Sequence, residues 1–121
     1  FLLENTVHKK SHIDQIAFET QLRKLICQQL ATITLPDVAS YFHISVPYAS
    51  DLIRQVTGKN FTALVLEERM KESEKLLKTS NVPISKVALL SGYQEPSYFM
   101  KVFKKYFGCT PSQYRENISL K

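Results

Sequence analysis

Pro47, Ser50, Asp51 and Arg54 can share one face of a helix, and Ser97, Met100, Lys101, Lys104 and Lys105 can share the matching face of another about fifty residues later. The chemistry available to such faces is specific. Lys101 can donate to guanine O6 or N7, Met100 and Pro47 can touch a thymine methyl, Ser50 or Ser97 can hydrogen-bond either way, and Asp51 can accept from cytosine N4. Arg54, nearer the end of its segment, can reach a base or a phosphate. Lys104, Lys105, Arg69 and Ser45, the last at a helix N-terminus, have the chemistry of phosphate anchors. Any one surface lysine is equally well read as a solvated charge. Their clustering on one inferred face favours contact with a polyanion.

The elements that must position these residues are written twice. Asp37 to Ile44 aligns with Lys86 to Tyr93 at an offset of 49, and Tyr48 to Gly58 aligns with Tyr98 to Gly108 at an offset of 50. The slip of one falls in the turn between the two segments. In each copy a short apolar-periodic segment ends at a tight turn, and a longer one follows and stops at glycine, which is the outline of a helix-turn-helix. Ala49, Leu52, Ile53 and Val56 form the inward face of the first longer helix. Phe99, Val102, Phe103 and Tyr106 form that of the second.

Composition bounds the rest. The 121 residues are 44% hydrophobic, with seven Phe and six Tyr, which suits one compact core without tryptophan. Sixteen Lys and Arg against 11 Asp and Glu give a net charge of +5, favouring a polyanionic partner. Cys27 and Cys109 lie far apart without a Cys-x-x-Cys pair, so the reading is a reducing, cytoplasmic setting. No apolar stretch approaches the roughly 20 residues that span a bilayer, so no membrane partner is expected. The chain starts at Phe1 rather than methionine and is read as part of a longer protein.

Along the chain the periodicity is helical throughout. Residues 1–12 lack it and are read as a linker or tail. From about Ile13 to Leu30, Ile13, Ile16, Ala17, Leu22, Leu25, Ile26 and Leu30 follow helical spacing and cover the first helix-turn-helix, placed at about 34–58. Pro36 sits at a first turn, Val38, Ala39 and Phe42 face inward, His43-Ile44 makes the turn, and Ser45 is an N-cap. The segment from about 60 to 78 is one long helix of about 27 Å, a strut between two subdomains, with ion pairs expected for Glu67 with Lys71 and Glu74 with Lys78. The second helix-turn-helix spans about 83–108. Pro83 opens it, Ile84, Val87, Ala88 and Leu90 pack inward, and Gly92 turns the chain. Thr110-Pro111 then caps a short last helix containing Tyr114, and 118–121 are a C-terminal tail.

Gly92 to Arg115, read without a gap as Gly-Tyr-Gln-Glu-Pro-Ser-Tyr-Phe-Met-Lys-Val-Phe-Lys-Lys-Tyr-Phe-Gly-Cys-Thr-Pro-Ser-Gln-Tyr-Arg, closely resembles the C-terminal signature of AraC/XylS-type transcription regulators. Ser45 to Gly58, then Phe61, Arg69 and Leu76-Leu77, resemble the first helix-turn-helix and connecting helix of that family, and the likeness spans roughly residues 18–117. The resemblance implies an all-α fold of seven helices, with two helix-turn-helix subdomains joined by the long helix. It also implies a DNA-binding domain over 13–117 whose two second helices enter successive major grooves of double-stranded DNA, and regulation of bacterial transcription. Asp51 departs from the basic or polar residue that members often carry there. Ile53 replaces the usual phenylalanine, Leu64 stands where an aromatic is common, and Ser73 where alanine is usual.

Other features carry less. Glu4, His8 and His12 stand at i, i+4 spacings that could clip a metal on a helix, but no thiol joins them in an aperiodic segment; no metal or other cofactor is expected. The aromatics Tyr98-Phe99, Phe103 and Tyr106-Phe107 have the spacing of core packing rather than of a base-stacking platform. No Gly-rich phosphate loop, carboxylate pair or nucleophile motif is present, so the reading is of a monomeric binding domain, not an enzyme. The second reading is a protein-interaction module that contacts RNA polymerase or a partner regulator.

Overall fold

Proline and glycine punctuation, together with side-chain caps, sets the element boundaries. The computed structural model of the protein describes residues 12–119, and every regular element among them is a helix. The seven are α1 (His12–Gln28), α2 (Leu35–Phe42), α3 (Val46–Thr57), α4 (Phe61–Thr79), α5 (Ile84–Leu90), α6 (Pro96–Phe107) and α7 (Pro111–Ser119). The linker and the Glu4-His8-His12 clip fall on residues that lie outside this description, apart from the backbone of His12, which opens α1. Helix α7 reaches Ser119, so the expected tail at 118–121 is helical at its start.

The described residues divide into two compact units that part between Leu66 and Glu67, inside α4. Composition suited a single core; the structure gives each unit its own. In the first, Phe18, Leu22, Leu25, Ile26 and Leu30 meet Ile33, Val38, Leu52, Ile53, Leu64 and Val65, with α1 and α2 both packed on α3. Ile16 departs from the helical-spacing expectation: it is 51% exposed, while Phe18, two positions on, is buried. A single helix layer covers only one side of α1, so an apolar residue at the stripe's margin stays in water.

Helix α2 starts at a capping box that the sequence reading did not identify. Thr34 Oγ1 accepts from the Asp37 N–H at 3.2 Å and the Asp37 carboxylate accepts from the Thr34 N–H at 3.0 Å, satisfying two otherwise orphaned donors. The helix ends at His43, whose φ of 58° is left-handed. The Ile44 N–H then donates to Ala39 O at 3.0 Å, and Tyr93 donates to Ala88 O at 2.9 Å after Gly92, φ 102°. This is one turn made twice, with an apolar residue just beyond the left-handed position. The slip of one is thereby located: Ser45 caps α3 directly after Ile44, whereas Gln94 intervenes between Tyr93 and Glu95, the N-cap of α6.

The second unit packs α5 on α6 and α6 on α7. Phe99 and Phe103 are fully buried, and the Phe103 ring lies 4.5 Å from Phe107 and 5.6 Å from Tyr114. Leu90, expected inward, is 45% exposed, as is Leu89 at 56%, because α5 is seven residues long and its partner covers only the Val87-Ala88 side. Ser73 is buried and donates to Met70 O at 2.9 Å, so its hydroxyl is satisfied inside the helix. Glu67 and Glu74 pair with Lys71 at 3.7 Å and Lys78 at 3.4 Å as expected. Neither cysteine is in a disulfide, Cys27 being exposed in the first unit and Cys109 half-buried in the second.

Tyr114 joins α7 to α4 by donating to the Glu74 carboxylate. Burial, and then the bond and charge of Glu74, push its phenol up to about 12. A raised value means that its contribution to stability is complete below pH 10 and is lost as pH rises towards 12. Urea midpoints of the wild type should therefore fall across that window. Tyr114→Phe should show a smaller fall, and an equal fall in both would place the alkaline sensitivity elsewhere.

Candidate nucleic-acid interface

Helices α3 and α6 are built alike. Each has twelve residues, a proline in its first turn, and a left-handed glycine at its end, Gly58 at φ 76° and Gly108 at φ 85°. The glycine N–H groups donate to Arg54 O at 2.9 Å and Lys104 O at 2.7 Å. Glycine adopts this conformation without the strain that a Cβ brings. Each helix is fixed by its buried face, Ala49, Leu52 and Ile53 in α3 and Phe99 and Phe103 in α6. Anchoring one face of a helix turns the opposite face to solvent.

That outward face holds most of the residues singled out from sequence. On α3, Pro47, Asp51 and Arg54 are exposed and Ser50 is half-buried; on α6, Ser97, Met100, Lys101, Lys104 and Lys105 are all exposed. Ser45 is exposed as well, and its hydroxyl oxygen accepts from the Tyr48 N–H at 3.2 Å, making it the N-cap of α3. Its counterpart Glu95 makes no side-chain cap bond. Arg69 is set apart. Its guanidinium lies 4.9 Å over the Tyr93 ring, inside the second unit, where burial pushes the Tyr93 phenol up and the arginine charge opposes the shift.

Three of the candidates on α3 are brought into contact. Both terminal nitrogens of Arg54 donate to Ser50 Oγ, Nη1 at 3.4 Å and Nη2 at 3.2 Å. Asp51 Oδ1 lies 3.9 Å from Nη1. The equivalent positions on α6, Met100, Lys101 and Lys104, carry neither a hydroxyl nor a carboxylate. The two faces thus differ in kind, one a guanidinium held by neighbours and the other a row of point charges.

Gln55, not singled out from the sequence, is exposed at the position matching Lys105, as the offset of 50 places it. Sequence reasoning misplaced two aromatics. Tyr106, expected on the core face, is 47% exposed and Tyr98 is 60% exposed, while Phe99 and Phe103 fill the core. Tyrosine at the margin of a narrow buried stripe keeps its hydroxyl in water at little cost. Among the described residues no three His, Cys, Asp or Glu side chains converge to hold a metal, and no helix is long and apolar enough to cross a membrane.

Comparison with known proteins adds an independent line. The family model for a helix-turn-helix domain matches residues 38–117. The regulatory protein PocR of Salmonella typhimurium is 38% identical over 85 residues, which are 70% of this chain and 28% of PocR. The Msm operon regulatory protein of Streptococcus mutans is 29% identical over 111 residues, 91% of this chain and 40% of that protein. A solved DNA-binding transcriptional dual regulator from Escherichia coli K-12 superposes with a TM-score of 0.78 at 28% identity, covering 86% of this chain and 94% of that one. The chain therefore spans less than half the length of these curated relatives. With its two matched turns, its paired twelve-residue helices and a family match over most of its length, the chain belongs to the AraC/XylS-type helix-turn-helix family.

Proposed function

We propose that this chain binds double-stranded DNA in a sequence-specific manner, in the bacterial cytoplasm, and thereby regulates transcription. In this reading α3 and α6 each enter a major groove of one duplex. The observation that carries it is the repetition of one presentation device: two twelve-residue helices, each buried on one side and polar on the other. The relatives are named as regulatory proteins, and the solved dual regulator as DNA-binding. The residues that face the bases are Pro47, Ser50, Asp51 and Arg54 on α3 and Ser97, Met100 and Lys101 on α6. Ser45, Lys104 and Lys105 hold phosphates, and Arg69 does so less readily because its cation lies over Tyr93. The two faces differ, so one monomer prefers an asymmetric site with unlike halves. The charge and the helical contacts need no cofactor and no catalysis.

Selection of bound fragments from random duplex DNA, followed by footprinting, tests this reading. A two-part asymmetric site is the expected product, and a footprint of one groove would contradict it. Single variants then separate the roles. Lys101→Ala should weaken binding by about 1 to 3 kcal/mol and relax preference at one base pair. Lys105→Ala should weaken all sequences alike and lower the salt slope by about one. If both variants keep the wild-type ranking of single-base variants, Lys101 is not a reader.

A second reading is favoured by a different observation. Leu89 and Leu90 on α5 are exposed beside Lys86, an apolar patch suited to protein contact, for which RNA polymerase is the partner proposed. Leu89→Ser with Leu90→Ser should leave duplex binding intact while lowering transcription from a bound promoter. Unchanged transcription would remove this reading.

A further inference from the structure

We propose that Ser50 and Asp51 are positioning residues rather than base readers: they hold Arg54 so that α3 reads a guanine. This rests on the duplex-binding reading above. The guanidinium has three hydrogen-bonding edges. Its end edge, Nη1 and Nη2 together, is taken by Ser50 Oγ at 3.4 and 3.2 Å. Asp51 Oδ1 lies 3.9 Å from Nη1, one of the two nitrogens of that edge. The remaining edge, Nε–H with the outer hydrogen of Nη2, meets no acceptor among the described residues, and its two parallel donors fit guanine O6 and N7.

The cost of binding through a long side chain is mainly the freedom it gives up. An arginine held by two neighbours has surrendered part of that freedom before the duplex arrives, so less affinity is lost on docking. In water the contacts are weak, since the Arg54 and Asp51 side chains are 53% and 80% exposed. Inside a groove, with water displaced, the same contacts strengthen. Asp51 then does not need a cytosine opposite it to be tolerated near phosphates, because its charge is directed at Arg54. The second copy has no such arrangement, as Lys101 replaces the carboxylate and Met100 the hydroxyl.

The test uses the intact chain, a randomised duplex pool, and single-base variants of the winning sequence. The wild type should enrich an invariant guanine in the half-site assigned to α3 by footprinting. Asp51→Asn and Ser50→Ala should each lower the preference for guanine over the other bases by about tenfold. Asp51→Asn should at the same time bind unrelated duplex more tightly, because a negative charge is lost. Asp51→Glu, whose carboxylate still reaches Arg54, should keep the preference. In an Arg54→Ala background, Asp51→Asn should leave base preference unchanged, since the residue it acts through is gone. An invariant cytosine lost in Asp51→Asn, or an Asp51 effect that survives Arg54→Ala, would make Asp51 a reader and overturn the proposal. Guanine preference unchanged in both Asp51→Asn and Ser50→Ala would overturn it as well, with duplex binding left standing. A wild type that enriches no sequence would overturn both readings together.

Discussion

Phe103→Ala is expected to lower folding stability by about 3 to 5 kcal/mol, the range for emptying a buried aromatic site. Tyr106→Ala, on the same helix, is expected to change it by no more than about 0.5 kcal/mol. Phe103 is fully buried, and its ring lies 5.8 Å from Phe99, 4.5 Å from Phe107 and 5.6 Å from Tyr114. Truncation removes the contacts of all three at once and leaves a cavity that the rigid α6–α7 packing cannot refill. Tyr106 meets Phe107 edge-on at 4.9 Å but is 47% exposed, so its loss returns little apolar area to water. Against a total stability of about 5 to 15 kcal/mol, the first variant is largely or entirely compromised and the second is close to wild type. Urea unfolding with unchanged slopes measures both. Comparable losses would mean that Tyr106 contributes to the core as its spacing suggested.

The second large effect is on binding. A fourfold rise in monovalent salt should weaken the duplex complex by about a hundredfold, since four cations brought into the negative field of the duplex, at a base edge or at a phosphate, displace counterions with a slope of about −0.9 each. The four are Arg54, Lys101, Lys104 and Lys105, all exposed on α3 and α6; Arg69 is left out because it stacks on Tyr93. Replacing the three lysines by glutamine should bring the slope to about −1. Lys75→Gln with Lys78→Gln is the control, because these lysines on α4 pair with Glu72 at 3.9 Å and Glu74 at 3.4 Å. That control should leave the slope alone. Fluorescence anisotropy across a salt series reads all three proteins, and equal slopes in the triple variant and the wild type would remove α6 from the interface.

Much of the fold was legible because its punctuation is strong. Pro36 and Pro96 sit in first turns, Gly58 and Gly108 end helices in a conformation that suits glycine, and the offset of about fifty residues carries one turn onto the other. Burial at the stripe margins was less legible. Ile16, Leu90 and Tyr106 satisfy helical spacing and yet face water, because periodicity gives the direction of a face but not its width, which depends on how much the neighbouring helices cover. His43 at φ 58° could not be foreseen as left-handed either, since a histidine there is held by the hydrogen bonds closing the turn. For the candidate site, the sequence located both polar faces and omitted Gln55. The grip of Ser50 and Asp51 on Arg54 depends on rotamers, so spacing could raise the Asp51–Arg54 pair only as a possibility.

The division of the thiols has a practical consequence. The chain has two cysteines, one in each compact unit, and neither is in a disulfide. A thiol-reactive dye or spin label therefore marks each unit once without any engineered position. Cys27 is exposed and Cys109 half-buried, so their reaction rates should differ enough for sequential attachment of a donor and an acceptor. The wild-type chain is then its own molecular ruler. Distance distributions between the two labels, recorded with and without duplex, would report whether the units hold a fixed arrangement in solution or acquire one on the DNA.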